Sequence, residues 1–84
     1  MNQANNNESA YGVVLFETAH DAIIGEKMLR DSLCVALMPI PSQFSAGCGI
    51  VLRFELTDAD RIQDLLLVHQ ISGRIEFVPG GSHE

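Results

Sequence analysis

The chain has 84 residues, enough for one small domain with a thin hydrophobic core. Its net charge is −6 and its five Lys and Arg residues are scattered, whereas a nucleic-acid surface needs them clustered. No apolar run approaches the roughly 20 residues of a membrane-spanning helix, so the composition argues against both nucleic-acid and membrane partners.

The first ten residues are polar and rich in asparagine, which predicts a disordered tail over 1–10. They lack the basic and apolar regions of a secretory signal, so we expect a cytoplasmic protein of bacterial type. In a reducing compartment the two cysteines are expected to be free thiols. The folded domain is predicted over 11–79, and 80–84 form a second tail.

The apolar run 11–16 predicts a first strand. Thr18 and Asp21 resemble a capping box, in which the side chain of one residue caps the backbone of the other. They open a helix that is predicted over 19–31. Its apolar stripe is expected to contain Ala19, Ala22, Ile23 and Leu29.

Residues 34–38 predict the second strand, and Cys34 is expected there as a small buried hydrophobic residue. Pro39 and Pro41 end this strand because proline cannot donate to a β-ladder. The polar residues 42–47 that follow predict a surface loop.

The second half of the chain repeats the same order of elements. Residues 50–54 predict the third strand, and Thr57 with Asp60 predicts a second helix cap. Gly73 is expected at the stop of that helix or in the following turn, and 74–78 predict the fourth strand. The apolar stripe of the second helix is expected to contain Ile62, Leu65, Leu66 and His69.

The resulting order βαββαβ is typical of the ferredoxin-like α+β fold, in which two helices cover one face of a four-stranded antiparallel sheet. The predicted strands are apolar on both parities, as Val13 and Val14 illustrate. The face without helices is therefore expected to be apolar, and a bare apolar face is unusual for a monomer. We predict a homo-oligomer that forms through this open face.

Cys48 lies between Gly47 and Gly49, at the junction of the loop with the third strand. Backbone N–H groups around glycines can form an anion-binding concavity, which would lower the pKa of the thiol and make it reactive. Arg53 is a candidate second source of positive charge. Strand parity places it on the opposite face, so it helps only across a bulge or from another subunit. The alternative is that Cys48 is a small residue in a tight turn.

Other combinations of the polar residues have less support as functional sites. A zinc site from His20, Cys34, Cys48 and His69 or His83 lacks the close ligand pairs of structural zinc sites. His20 is expected to face solvent near the helix start. A nucleophilic pair of Cys48 and His20 would require spatial proximity.

Three segments of the chain form a recognisable pattern: Thr18-x-x-x-Ala22-x-x-x-Glu26-Lys27-x-Leu29, Pro39-Ile-Pro41 and Cys48-Gly49-x-x-Leu52-Arg53-Phe54. This pattern resembles a family of short bacterial proteins described as selenium/sulfur carrier-like, over residues 11–78. The resemblance implies that Cys48 is the carrier residue. The chain departs from the family pattern at Ser42, where a basic residue often stands, and at Ala46 and Gly47, where serines often precede the cysteine.

The resemblance implies a carrier or accessory protein rather than a stand-alone enzyme. Cys48 would accept sulfur or selenium as a persulfide-type adduct from a donor protein and pass it to an acceptor protein. Gly47 and Gly49 would cradle the anion, and Arg53 and His20 would be auxiliary. No metal or organic cofactor is required. Two alternatives remain open: a non-catalytic oligomeric interaction or regulatory module, and a thiol redox switch at Cys48.

Overall fold

The computed structural model describes residues 10–44 and 49–79. The predicted tails at 1–9 and 80–84 lie outside the described residues, as do loop positions 45–48. Along the chain the elements are β1 (Tyr11–Leu15), α1 (Ala19–Leu29), β2 (Val35–Pro39), β3 (Ile50–Phe54), a short 3-10 helix (Leu56–Asp58), α2 (Ala59–Val68) and β4 (Arg74–Val78).

The four strands form one antiparallel sheet in the order β2-β3-β1-β4. This order, with a helix in each crossover, is the ferredoxin-like fold that the sequence predicts. Since β3 and β4 both run antiparallel to β1, they run parallel to each other and begin at the same end of the sheet.

The larger core cluster lies between the sheet and the helices. Its buried members are Val14, Phe16, Ala22, Leu29, Leu33, Leu52, Phe54, Ile62 and Leu66, with Leu65 and Ile75 partly buried against them. Two glycines make room for the Phe16 ring and its neighbour Val14. A Cβ at Gly25 would lie 2.9 Å from the ring, and a Cβ at Gly73 would lie 2.6 Å from Cγ1 of Val14 and 3.3 Å from the ring. A Cβ at Gly12 would overlap the Phe54 ring. The absence of side chains at these glycines therefore fixes how closely the backbone approaches the aromatic rings.

The buried face of α1 differs from the predicted stripe. Ala22, Gly25 and Leu29 are buried, whereas Ala19 is exposed and Ile23 is 43% exposed. Gly25, which carries no hydrophobic signal in the sequence, faces the core because the close approach of the helix to the sheet requires a residue without a side chain. The prediction that Ala19 and Ile23 belong to the buried stripe of α1 is thus wrong.

The two helices begin in different ways. The Thr18 hydroxyl oxygen accepts a hydrogen bond from the Asp21 N–H at 3.1 Å, which confirms the predicted cap of α1. The predicted cap of α2 at Thr57 is wrong, because Thr57 lies inside the 3-10 helix and Asp58 precedes α2 without a side-chain cap.

The end of α2 is made by Gln70 and not by Gly73. Gln70 has φ of 58°, and its N–H donates to the Leu67 carbonyl at 3.1 Å. The Ile71 N–H donates to the Leu66 carbonyl at 2.9 Å. This pair of bonds is a Schellman motif with a non-glycine residue in the left-handed position. Gly73 is used instead for packing against β1.

The open face of the sheet holds a second, smaller apolar cluster. Its buried residues are Val13, Leu15, Val51 and Val78, and the partly buried residues packed against them are Tyr11, Met38, Ile40 and Phe44. Ile40 and Phe44 belong to the segment after β2. The centre of the open face is therefore already buried within one chain, which removes the reason for predicting oligomerisation through it.

Candidate functional site

The predicted site lies at the start of β3. Cys48 and Gly47 are outside the described residues, and Gly49 is the first described residue after them. Gly49 is exposed and has φ of +74°, a left-handed conformation that favours glycine. Among the described residues other than its chain neighbours, no atom lies within 4 Å of where a Cβ would be at this position. The backbone directly after Cys48 is thus open to an approaching molecule.

Gly49 is also anchored to the sheet. Its carbonyl oxygen accepts a hydrogen bond from the Ile40 N–H at 3.0 Å, one step beyond the pairing of Pro39 with Ile50. This bond closes the β2–β3 connection at its base. The arrangement provides an exposed glycine next to a fixed strand end.

We define the Gly49 end of the sheet as the end at which β1 and β2 finish and β3 and β4 begin. Leu15 pairs there with Val51 on one side and with Arg74 on the other. His20, in the first turn of α1, lies at the same end because α1 begins shortly after β1 finishes. Its side chain is exposed, as predicted.

Arg53 lies towards the opposite end of β3. It pairs across the sheet with Val13 and Ala36. Its guanidinium carbon lies 4.6 Å from the centroid of the Tyr11 ring, within the range of a cation–π contact. The structure therefore gives Arg53 a partner of its own and does not bring it to the Gly49 end.

Arg74 lies at the Gly49 end, a position that was not predicted for it. It begins β4 at the Gly49 end, and its side chain is on the open face together with that of Leu15. Its Nε atom lies 3.2 Å from Oε2 of Glu76, and its side chain is 65% exposed. The signal was present in the βαβ order, because the two parallel strands of such a unit begin at the same end of the sheet.

Cys34 is exposed, which makes the prediction of a buried Cys34 wrong. It precedes the edge strand β2, at the end of the sheet opposite Gly49. It lines a small cavity of about 90 Å³ together with Ala36, Arg53 and Glu55. Because β2 is an edge strand, no described strand pairs with its outer side, which leaves its first residues accessible.

His69, expected in the apolar stripe of α2, is exposed and caps the helix C-terminus at the Gly49 end. Within 10–44 and 49–79, no three His, Cys, Asp or Glu side chains are grouped so that they could hold a metal ion. In the same part of the chain, no helix has the length and apolarity to span a membrane.

Residues 11–75 match the profile of a family described as "Putative Se/S carrier protein-like". The match covers most of the chain, which therefore belongs to this family, and it confirms the resemblance. The matched range contains both Cys34 and Cys48. No curated protein and no solved structure matches the chain.

Proposed function

We propose that this member of the Se/S carrier-like family carries sulfur or selenium on the thiol of Cys48. The observation that carries the proposal is the family match over 11–75, a range that contains the Cys48-Gly49 pair of the resemblance. Cys34 falls in the same range, so the assignment to Cys48 needs a further argument.

The flanking glycines supply that argument. Gly49 is exposed, has left-handed backbone geometry, and has no atom of the other described residues, apart from its chain neighbours, within 4 Å of where a side chain would begin. A donor protein that delivers sulfur must bring its own cysteine to within bonding distance, so bulk beside the acceptor thiol is unfavourable. Cys34 is followed by the β-branched Val35, which is part of a strand. Cys48 is therefore the better acceptor of the two.

The transfer step is an exchange between two sulfur atoms. The Cys48 thiolate attacks the outer sulfur of a persulfide on the donor, a sulfur–sulfur bond forms at Cys48, and the donor thiolate leaves. The transferred sulfur is already at the zero-valent level, so no oxidant is consumed. Passing the atom to an acceptor thiolate repeats the same step, and selenium follows the same route.

Their position relative to the Gly49 end distinguishes the candidates for an auxiliary role. Arg74 begins β4 at this end, and His20 lies there in the first turn of α1. Arg53, in contrast, stacks on Tyr11. We therefore assign the auxiliary role to Arg74 and His20 in preference to Arg53.

The test uses a cysteine desulfurase with L-cysteine as sulfur donor and intact-mass measurement of the full chain as readout. We expect one added sulfur on the wild type and on Cys34→Ser, and none on Cys48→Ser. Cys34 is an exposed free thiol of the same chain, so Cys34→Ser is the matched control. No added sulfur on the wild type, or equal loading of Cys48→Ser, would contradict the proposal.

Selenocysteine in place of L-cysteine tests the selenium arm with the same three proteins. Preferential selenium loading of Cys48 would identify selenium as the cargo. A Cys48 that takes up neither atom but forms a sulfenic acid with peroxide would instead indicate a redox switch.

A further inference from the structure

The two edges of the sheet differ in their capacity to pair. β2 ends in Pro39, which has no N–H to donate. β4, at the other edge, consists of five residues that each carry an N–H and a carbonyl, and no described strand pairs with its outer side. We propose that β4 pairs antiparallel with β4 of a second copy of this chain, about a two-fold axis normal to the sheet that passes beside Ile75.

The charges of β4 select this register. A two-fold axis normal to the sheet makes the two strands antiparallel, and residues directly opposite each other then point to the same face of the sheet. Successive possible registers therefore differ by a shift of two residues. With Ile75 opposite Ile75 of the second copy, Arg74 lies opposite Glu76 in both directions. Shifting one way places Arg74 opposite Arg74, and shifting the other way places Glu76 opposite Glu76. Like charges directly opposite each other are unfavourable.

The side chains of Arg74 and Glu76 are accessible for this contact. Arg74 and Glu76 already lie 3.2 Å apart within the strand, and their side chains are 65% and 38% exposed. In the proposed pairing they would form a ring of four alternating charges on the open face. Each charge would keep its neighbour in the strand and gain a second one across the interface.

The same register places an exposed aromatic side chain next to a groove. Phe77 points to the helix side of the sheet and is 55% exposed. A groove of about 360 Å³ lies between α2 and the start of β4, and it is lined by Leu66, Leu67, Ile71, Gly73 and Ile75 among others. With Ile75 opposite Ile75, Phe77 lies opposite Gly73 of the second copy, beside its groove. Leu67, which is 70% exposed, lies on the wall of that groove.

A second copy is therefore the occupant that the edge fits. Charge complementarity and the apolar contact are satisfied by one register, and each contact occurs twice through the symmetry. This inference does not depend on Cys48 or on the carrier function. It also uses a surface different from the open face, whose centre is covered within the chain.

The first experiment measures the mass of the full chain in solution by sedimentation equilibrium. We expect two chains for the wild type, and a rise of about tenfold or more in the dissociation constant for Arg74→Glu and for Glu76→Arg. An equimolar mixture of these two variants should associate again, because one strand is then negative at both positions and the other positive. Both variants lack the Arg74–Glu76 ion pair within the strand, so the loss of that pair cannot explain why the mixture associates.

Lys27→Glu on α1 and Glu55→Arg after β3 are the matched controls for the change in net charge, and both should associate as the wild type does. The register is tested by Ile75→Cys in a background without Cys34 and Cys48. Antiparallel partners lie within disulfide distance, so this variant should form an inter-chain disulfide on oxidation, whereas Phe77→Cys should not. A wild type with the mass of one chain at high concentration would overturn the proposal, as would a dimer unaffected by the reversals or a mixture that stays monomeric.

Discussion

The two faces of the sheet are buried to different extents and by different parts of the chain. On the helix side, α1 and α2 cover a cluster of nine buried residues. On the open face, four buried residues are packed by strand residues and by Ile40 and Phe44 from the segment after β2. A fold with one layer of helices leaves its second face to whatever connection can reach it. Here the connection that leads to the candidate site also covers part of the core.

The largest expected effect on stability comes from comparing two residues of β3 that point to opposite faces of the sheet. Phe54 points to the helix side and Val51 to the open face, and both are essentially fully buried. We expect Phe54→Ala to lower the free energy of unfolding by about 3–5 kcal/mol and Val51→Ala by about 2 kcal/mol, because the removed volume differs. Urea denaturation followed by circular dichroism measures both. Equal losses would mean that the open face contributes as much as the helix side.

The packing of Phe54 against Gly12 gives a check on that result. Gly12→Ala is expected to destabilise the wild type because the added methyl group would overlap the Phe54 ring. In the Phe54→Ala background the same substitution should cost much less, since the ring is gone. The two changes would add without coupling if the contact were unimportant.

The next effect concerns the cover of the open face. Phe44→Ala should lower the free energy of unfolding by about 1–2 kcal/mol, since the Phe44 ring is only partly buried. It should also increase the fluorescence of a dye that binds exposed apolar surface. Leu56→Ala, at a side chain that is 41% exposed, is the control and should change the dye signal little. An unchanged signal with Phe44→Ala would show that other residues close this face.

On the helix side, a smaller effect tests the start of α1. Thr18→Ala should cost about 1 kcal/mol, because the Asp21 N–H loses its acceptor. Thr18→Ser keeps a hydroxyl and should keep most of the stability. Thr57→Ala should change the free energy of unfolding by less than about 0.5 kcal/mol, as α2 has no side-chain cap. A cost at Thr57 equal to that at Thr18 would contradict the observed difference between the helix starts.

The smallest effect lies on the open face, where Arg53 covers the Tyr11 ring. Arg53→Gln should cost about 0.5 kcal/mol because this cation–π contact is exposed to solvent. A double-mutant cycle with Tyr11→Leu measures the coupling, which should account for most of the loss. The rate of sulfur loading at Cys48 should not change. A slower rate of sulfur loading in this variant would indicate that Arg53 contributes to the reactivity of Cys48.

Much of the fold could be predicted because its signals are local. The apolar runs predict all four strands within one residue, and β3 and β4 have the predicted bounds. The errors arise where tertiary contacts decide. Gly25 is buried because the Phe16 ring lies beneath it, and Gln70 takes the left-handed position although Gly73 follows nearby. Neither choice is visible in the hydrophobic period of the sequence.

The candidate site was less predictable for a similar reason. The spacing of Cys48 and Gly49 indicates the residue but not its neighbours, which come from other strands. Strand parity alone places Arg53 away from the thiol, and the βαβ order already implies that Arg74 begins its strand at the Gly49 end, which the register of the strands confirms. The exposure of Cys34 follows from the edge position of β2, which depends on the order of strands in the sheet.

The seat of the Phe16 ring has a consequence for the evolution of this chain. Gly25 and Gly73 are far apart in sequence, yet both lie against the Phe16 ring. A homologue with a larger residue at position 25 needs a smaller side chain at position 16, and one with a larger residue at position 73 also needs a smaller side chain at position 14, to keep the layers at their present spacing. Substitutions at positions 14, 16, 25 and 73 should therefore be correlated across relatives, and such correlated change would be a record of the distance between the helix layer and the sheet.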